Sequence, residues 1–452
     1  MIWLLACAAG PEDPSAPALR IPVQEARTSG PRTVVWFTID TLNQDHLGPD
    51  SVHPSSPHHE ALFEQGVVMP HTVVTRGVTV ISLPSIATGT YPRTHGVTEK
   101  QIPPPGAMPA MVQELLQDEG FETYVYSANI CVMHSRGWTE SHCSADSATA
   151  STDQARDQLM VDAFLRDLAR LPAHQDAFFW IHLRDPHAPY SPREPWISDF
   201  YDAPRDGRTT IIMDDLDGIT LGETEPPDGF EDWLSAVYAS QVASSDAMLG
   251  QVRDALEGAD RLDVIFTGTD HGEELGAHHD YFLHGCSTYE PVINTTWSMR
   301  APELEPSRIE DSVSTTDMLP SLLEILDIPI PESVEGRSLV AAAGGEDDSI
   351  VPVFFQKGSG TAGVVEGDRK YFLSKGEQPF CRPFGGDEVW PGPTEGLFDL
   401  VQDPDEADNL AETEPNPIEK TTLCGWVVDY DWGDDVAQAQ ELIDACTEHL
   451  AE

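Results

Sequence analysis

Positive charge is what this chain has least of. Its 452 residues include 25 Lys and Arg, only five of them Lys, against 77 Asp and Glu, giving a formal net charge of −52. A surface of that sign repels the phosphates of nucleic acid and of anionic membranes, which argues against nucleic acid as a partner. Long hydrophobic runs are missing too: past the first residues no segment approaches the roughly 20 apolar residues of a membrane span. Cysteine is sparse, at seven residues, and none shows a C-x-x-C or a zinc-like spacing. No internal repeat is visible. Glycine and proline are ordinary at 34 and 37, and the length is ample for a large core. The acidic residues are spread along the chain rather than gathered in a tail, as on a solvated surface adapted to salt or to an extracellular setting. An anionic substrate would therefore need local positive charge, which a bound metal would supply.

The first residues, Met1-Ile-Trp-Leu-Leu-Ala-Cys7, resemble a bacterial lipobox, in which the Cys is acylated and becomes the mature N-terminus. Six residues before Cys7 are too few for a full leader, so the expectation is that the true start lies upstream. Residues 8 to about 30 are rich in Pro, Ala and Glu and read as a tether. The expected location is the bacterial cell envelope or the extracellular space, with membrane contact only through a lipid anchor at Cys7. Six further Cys remain: Cys131, Cys143, Cys286, Cys381, Cys424 and Cys446. An even count in an exported protein permits up to three disulfides, with Cys131–Cys143 the plausible local pair.

Two acidic motifs end apolar runs. One is Thr33-Val-Val-Trp-Phe-Thr-Ile-Asp40-Thr41, and the other is Leu262-Asp-Val-Ile-Phe-Thr-Gly-Thr-Asp270-His271-Gly272. Each reads as a buried parallel strand stopping at a carboxylate. Ligands of open α/β sheets sit outside the carboxyl ends of the strands, so Asp40, Asp270 and His271 can converge there. Two carboxylates and an imidazole suit a divalent metal and ester or phosphoryl chemistry. A strand-end Asp more commonly caps a turn, so it is the pair that carries this reading.

Strands are expected at 33–39, 121–127, 177–183 and 262–267, and helices at 58–66, 79–87, 107–118, 154–171, 230–257 and 316–326. The alternation predicts an α/β fold with a mostly parallel central sheet sandwiched by helices. The stretch 201–229 reads as a surface excursion. From about 346 short strands near 362–374 and 396–401 and a helix near 434–450 predict a smaller C-terminal α+β subdomain. The domain reading is thus leader and tether at 1–30, catalytic domain at 31–345 and C-terminal subdomain at 346–452.

Several motifs, in order, resemble those of the sulfatases within the alkaline phosphatase superfamily. They are Ile39-Asp-Thr-Leu-Asn-Gln-Asp-His-Leu-Gly48, Ser56-Pro-His-His-Glu-Ala-Leu-Phe-Glu-Gln-Gly-Val, Thr88-Gly-Thr-Tyr-Pro-Arg-Thr-His-Gly-Val97, Asp185-Pro-His-Ala-Pro-Tyr190, and Asp270-His-Gly-Glu-Glu-Leu-Gly276 with His284-Gly285. The segments from Thr316 and Leu397 resemble the family's closing motifs. The resemblance implies an alkaline-phosphatase-like fold and a metal-dependent hydrolase or transferase. Its substrate would be a phosphate or sulfate ester, on a small molecule or linked to glycan or lipid.

In the family the nucleophile lies in Cys-x-Pro-Ser-Arg, whose Cys or Ser becomes formylglycine. Counting back without gaps from Thr88-Gly89 puts Thr79 there, with Ile81 in place of the Pro and Leu83 in place of the Arg, so formylglycine is not expected. A competing register through Ser82-Leu-Pro-Ser keeps the Pro and Ser but needs a deletion, and would describe a sulfuric ester hydrolase. A silent binding protein on the same scaffold is the alternative from another class. A hydroxyl at a helix N-terminus faces the positive end of the dipole, yet a free Thr needs a metal or a base to attack. The expected metal ligands are Asp40, Asp270, His271 and Thr79, and the expected cofactor is one divalent ion, Mn²⁺, Mg²⁺, Zn²⁺ or Ca²⁺. Thr41 stands where the family pairs a second Asp, which favours a single metal; His278 and His279 are not expected to hold another. His187 and His284 are the candidates for acid–base and anion-binding work. Asp45 is expected to fix its loop rather than touch substrate.

Overall fold

A computed structural model of the chain describes residues 30–98, 101–104, 106–129, 136–143, 152–203, 209–220, 222–278, 281–285, 287–347, 349–357, 360–375, 394–414, 417–429 and 436–451. Cys7 and the tether lie outside the described residues, as do Cys131, His279, Cys286 and Cys381.

The main sheet consists of β1 (Thr33–Ile39), β2 (Val67–Val73), β3 (Glu122–Ser127), β4 (Glu140–Cys143), β5 (Ala177–Leu183), β6 (Val264–Thr269), β7 (Asn294–Arg300), β8 (Ser307–Arg308) and β9 (Val313–Ser314). Their order is β4-β3-β5-β1-β6-β7-β2-β8, with β9 also on β2. From β4 to β6 every pair is parallel, while β7 runs antiparallel to both β6 and β2. Every residue of β1, β5 and β6 is buried, as in strands covered on both faces. Alternate side chains feed two cores. Val35, Phe37 and Ile39 meet the helices Asp153–Leu168 and Phe230–Gly258 on one face. Val34 and Trp36 meet the helices Thr79–Thr88, Val112–Asp118 and Met318–Ile325 on the other. The expected α/β class with a mostly parallel sheet between helices is the observed one.

A second, antiparallel sheet is made by β10 (Val353–Lys357), β11 (Thr361–Glu366), β12 (Arg369–Ser374) and β13 (Glu395–Asp399). The helices Ile418–Asp429 and Val436–Ala451 cover one side of it and are joined by the disulfide Cys424–Cys446. Cys143 is also disulfide-bonded.

Several elements depart from the sequence expectation. β2 and β7 have no strong period: β2 contains Pro70 at an irregularity between Met69 and Thr72, and β7 opens on Asn294-Thr-Thr and is rich in polar residues although most of it is buried. The helix expected from 107 begins at Val112, where Glu114 reaches back to the N–H of Met111. The supposed surface excursion contains the helix Met213–Thr220, anchored by buried Leu216 and Ile219. No helix among the described residues is long and apolar enough to cross a membrane.

Candidate active site

The strand register does the assembling. β1 lies between β5 and β6, with Ile39 opposite both Leu183 and Thr269. The residues just past these ends are therefore neighbours: Asp40 from β1, Arg184 from β5, Asp270 and His271 from β6. The Asp40 N–H completes the ladder on Leu183 O at 2.9 Å. Gly272 carries the chain away from the site beneath Pro291, where a Cβ would lie 2.1 Å from the Pro291 carbonyl oxygen, so no larger residue fits.

Thr79 is the first residue of its helix, after Val78 in an extended conformation. Its Oγ1 is 3.3 Å from Asp40 Oδ1 and 3.2 Å from His271 Nε2. His271 Nε2 lies 3.5 Å from Asp270 Oδ2 and 3.9 Å from Asp40 Oδ1, while its Nδ1 meets Gly272 O at 3.0 Å, which orients the ring. Thr79, Asp40, Asp270 and His271 thus meet at one point. Ser82 sits one turn along, fully buried, and its hydroxyl donates to Asp270 O at 2.5 Å rather than facing the carboxylates.

The motif after this helix holds it from below. Gly89 ends the helix in a left-handed conformation, φ 63°. Buried His95 then reaches back to Ser85 Oγ at 3.0 Å, and Ser85 also takes a hydrogen bond from Thr75 at 2.8 Å.

Thr41 is held at φ 57°, a region β-branched residues rarely occupy, by Tyr238 OH donating to its carbonyl at 2.5 Å. Its own hydroxyl is buried without a hydrogen-bond partner. The opening loop is fixed by Asn43, which takes the Asp45 N–H at 2.8 Å and donates to Glu273 O at 2.7 Å.

The Asp185–Tyr190 loop is anchored by its acid. The Asp185 carboxylate forms a two-pronged pair with Arg193 at 2.6 and 2.7 Å and takes a third bond from Gln241. Asp157 accepts the N–H groups of Arg184 and Asp185. This places His187 with its ring 5.1 Å from that of His284, which in turn lies 4.5 Å from the ring of His271. His278 turns elsewhere, between Glu274 and Asp405 O, stacked on Tyr289.

Four residues of this site were not read from the sequence as functional. His182, on β5, offers a ring nitrogen that lies with carboxylate oxygens of Asp40 and Asp270 in a group within 4.8 Å of one another. Its Nδ1 is tied to Thr38 Oγ1 at 2.9 Å, and its Nε2 is buried without a hydrogen-bond partner. A lone imidazole inside the apolar run Ala177-Phe-Phe-Trp-Ile-His-Leu183 was the available signal. Asn129 donates to Asp40 Oδ2, and Arg184 donates to Asn129 at 3.0 Å, so the guanidinium reaches the carboxylate through an amide. Glu273, fully buried, meets His284 Nδ1 at 2.9 Å.

Burial governs the electrostatics. It pushes Asp40 up to about 7, with the charge of Asp270 adding and those of His271, His284 and Arg184 opposing. It pushes Asp270 up to about 7 as well, against hydrogen bonds from Thr79 and backbone N–H groups. It lowers His271 and His284 to about 4 and His182 to about 3, holds His187 well below its ordinary value, and raises Glu273 well above its own. The donor set fits a divalent cation on its own terms: Asp270 Oδ2, His182 Nε2 and Thr41 Oγ1 are buried polar atoms without hydrogen-bond partners.

The sequence profile of the family described as Sulfatase matches residues 32–328. Arylsulfatase K of Mus musculus is 30% identical over 190 residues, which are 40% of this chain and 33% of the mouse protein, so the match spans about a third of that curated relative. Among solved structures, the phosphonate monoester hydrolase of Silicibacter pomeroyi superposes with a TM-score of 0.65 at 19% identity, over 87% of this chain and 93% of the hydrolase. A protein solved with its substrate D-glucosamine-2-N,6-O-disulfate superposes with a TM-score of 0.65 at 13% identity, over 94% and 98% of the two chains. At these identities the structural likeness bears on the fold.

Proposed function

Because this chain belongs to the sulfatase family, we propose that it is an ester hydrolase or transferase that cleaves a phosphate or sulfate ester through a covalent Thr79 intermediate. The observation that carries this reading is Thr79 Oγ1 within 3.3 Å of both Asp40 and His271 at a helix N-terminus. Asp40, Asp270, His271 and Thr79, with His182 beside them, would hold one divalent ion. Such an ion neutralises the carboxylate pair and makes a neighbouring hydroxyl a nucleophile at neutral pH.

The protein's own groups divide the remaining work. Thr79 gives its proton towards the Asp40 carboxylate and attacks phosphorus or sulfur in line. The bond to the leaving oxygen breaks with its electron pair on that oxygen, which takes a proton from His187 or His284. Water then attacks the Thr79 ester and returns a proton to that histidine. The bond to Oγ1 breaks with its electron pair on Oγ1, which is reprotonated. Helix N–H groups and Arg184 bind the non-bridging oxygens, and His187 lines the same side. Ser82, turned to the backbone, supplies no nucleophile in this scheme.

The test is turnover of matched aryl phosphate monoester, phosphodiester and sulfate ester with Mn²⁺, Mg²⁺, Zn²⁺ or Ca²⁺, wild type beside Thr79→Ala. The expected result is turnover lowered at least ~1,000-fold by the substitution. Turnover that survives in Thr79→Ala would overturn the nucleophile. No turnover of any ester with any metal would overturn the enzymatic reading.

A further inference from the structure

β1 ends at a sharp corner. Asp40 is still in the ladder, its N–H on Leu183 O at 2.9 Å, and the next residue, Thr41, turns the chain at φ 57°. Among the described residues five non-glycine residues have positive φ, and Thr41 is the one that is β-branched, the side-chain type least suited to that region. Its own hydroxyl, buried without a hydrogen-bond partner, gives the corner no support. Such a conformation persists only where its surroundings hold it. The hold comes from Tyr238, fully buried within the helix Phe230–Gly258. Its phenol oxygen gives its hydrogen to Thr41 O at 2.5 Å and takes the N–H of Asn43 at 2.8 Å, so one atom clasps both limbs of the corner. The corner in turn reaches the second acid. Thr41 N–H donates to Asp270 Oδ1 at 3.4 Å, and Leu42 N–H to Thr269 Oγ1 at 3.2 Å. The end of β1, which carries Asp40, and the end of β6, which carries Asp270, are thus tied together through the corner that Tyr238 closes.

Taking the divalent-ion reading above as given, we propose that Tyr238 is a positioning residue of the metal centre: its hydroxyl holds Thr41 in the left-handed conformation and so fixes Asp40 at its distance from Asp270. The phenol meets neither ion nor substrate in this role; it acts through two backbone groups. A divalent ion needs its donors at set distances, so an error in the place of one carboxylate is felt as affinity. Without the phenol hydrogen Thr41 is free to return to negative φ, which swings the N–H groups of Thr41 and Leu42 off β6 and releases Asp40. The Tyr238 ring packs against those of His46 and Tyr190, with 4.7 and 5.8 Å between centroids, and a phenylalanine keeps these contacts.

The experiment is a double-mutant cycle on ion binding, independent of turnover. Mn²⁺, Mg²⁺, Zn²⁺ and Ca²⁺ are titrated into metal-free wild-type protein by calorimetry. The ion bound tightest is then titrated into Tyr238→Phe, Thr41→Gly and the double variant. Tyr238→Phe is expected to raise Kd about 30-fold in the wild-type background and less than about 3-fold in the Thr41→Gly background, because glycine takes the left-handed conformation without help. Thr41→Gly also removes a hydroxyl, which is why the two Tyr238→Phe effects are compared with each other. Equal rises in both backgrounds, or no rise in either, would overturn the assignment. A second readout needs no ion: amide hydrogen exchange at Leu42 in the metal-free protein, whose acceptor Thr269 Oγ1 neither substitution touches. Tyr238→Phe is expected to speed it at least ~10-fold, and the double variant to restore it. An unchanged Leu42 amide in Tyr238→Phe would overturn the hold on the corner even if Kd moved. A wild type that binds none of the four ions, with Leu42 responding as expected, would sink the metal reading and leave the hold on Thr41 standing.

Discussion

At the seam between the two sheets, Glu290 and Glu406 close on the ammonium of Lys370, at 3.1 and 2.7 Å, with Lys370 fully buried. Glu406 also accepts the Glu290 N–H at 2.6 Å. At the ends of β1 and β6, Asp40 and Asp270 are buried as deeply, but they meet amides, hydroxyls and imidazoles in place of a fixed cation, and Asp270 Oδ2 meets no hydrogen-bond donor. The same problem, two carboxylates taken out of water, has an internal solution in one place and is left open in the other. A buried acid pair that carries its own lysine is architecture. One that carries none is costly to the protein alone, and it is the pair on which the proposed ion would sit. That contrast separates site from scaffold without reference to relatives.

The contrast breaks most visibly at Asp270. Asp270→Asn is expected to lower ester turnover at least ~1,000-fold and to abolish stoichiometric metal, read by elemental analysis of the purified protein. The metal-free variant should melt above the metal-free wild type, because a neutral amide removes one of two uncompensated charges. A variant that melts lower in the absence of metal would mean that Asp270 is structural. Lys370→Met should do the reverse. It strands two acids at the seam and is expected to cost about 3–5 kcal/mol in denaturant unfolding, with added metal giving no specific rescue.

The acidity of the open pair sharpens the comparison further. Asp40 and Asp270 are both raised to about 7, so their contribution to stability is full below the ordinary carboxylate range and is lost as pH rises through 7. His271 and His284, lowered to about 4, contribute in the opposite sense, fully above pH 6.5 and lost as pH falls towards 4. Between about pH 6.5 and 8 the imidazoles are constant, and the metal-free protein should lose melting temperature as pH rises. Glu406, also raised to about 7, titrates in the same window, so the share that Asp270→Asn removes is the share owed to the site. Divalent metal should reverse the slope, adding about 2.7 kcal/mol at a free concentration 100-fold above its Kd. A slope unchanged in Asp270→Asn would sink this account.

How much of this was legible in the sequence follows from the same physics. β1, β5 and β6 are continuous apolar runs because both faces are covered, and their parallel register alone brings Asp40 and Asp270 together, so the centre of the site could be read. β2 and β7 could not, since an irregular strand with Pro70 and one rich in buried Thr, Asn and Ser break the period that identifies strands. Around the centre, residues that touch only each other carry no local pattern. Asn129 and Arg184 come from different strand ends, and Glu273 and His284 from the two sides of a turn. His182 was visible as a polar interruption, but its partner Thr38 lies on another strand, so nothing nearby marked it as more than a buried histidine.

A satisfied group and an open one also stand side by side within a single helical turn, and there the smallest effect is expected. Thr79 and Ser82 both present hydroxyls from the same helix, and both touch the Asp270 region. Ser82 gives its hydrogen to a backbone carbonyl and is finished inside the protein, as Glu406 is by Lys370. Thr79 points at the open carboxylate pair. Ser82→Ala should therefore cost about 1 kcal/mol of stability, the worth of one buried hydrogen bond, and change turnover by less than about 10-fold. It leaves Asp270 O one donor short but moves no group that meets substrate. A loss in Ser82→Ala as deep as that in Thr79→Ala would place the nucleophile one turn further along. It would also show that a hydroxyl satisfied by backbone can still be drawn into the reaction, which the geometry of Asp270 O at 2.5 Å argues against.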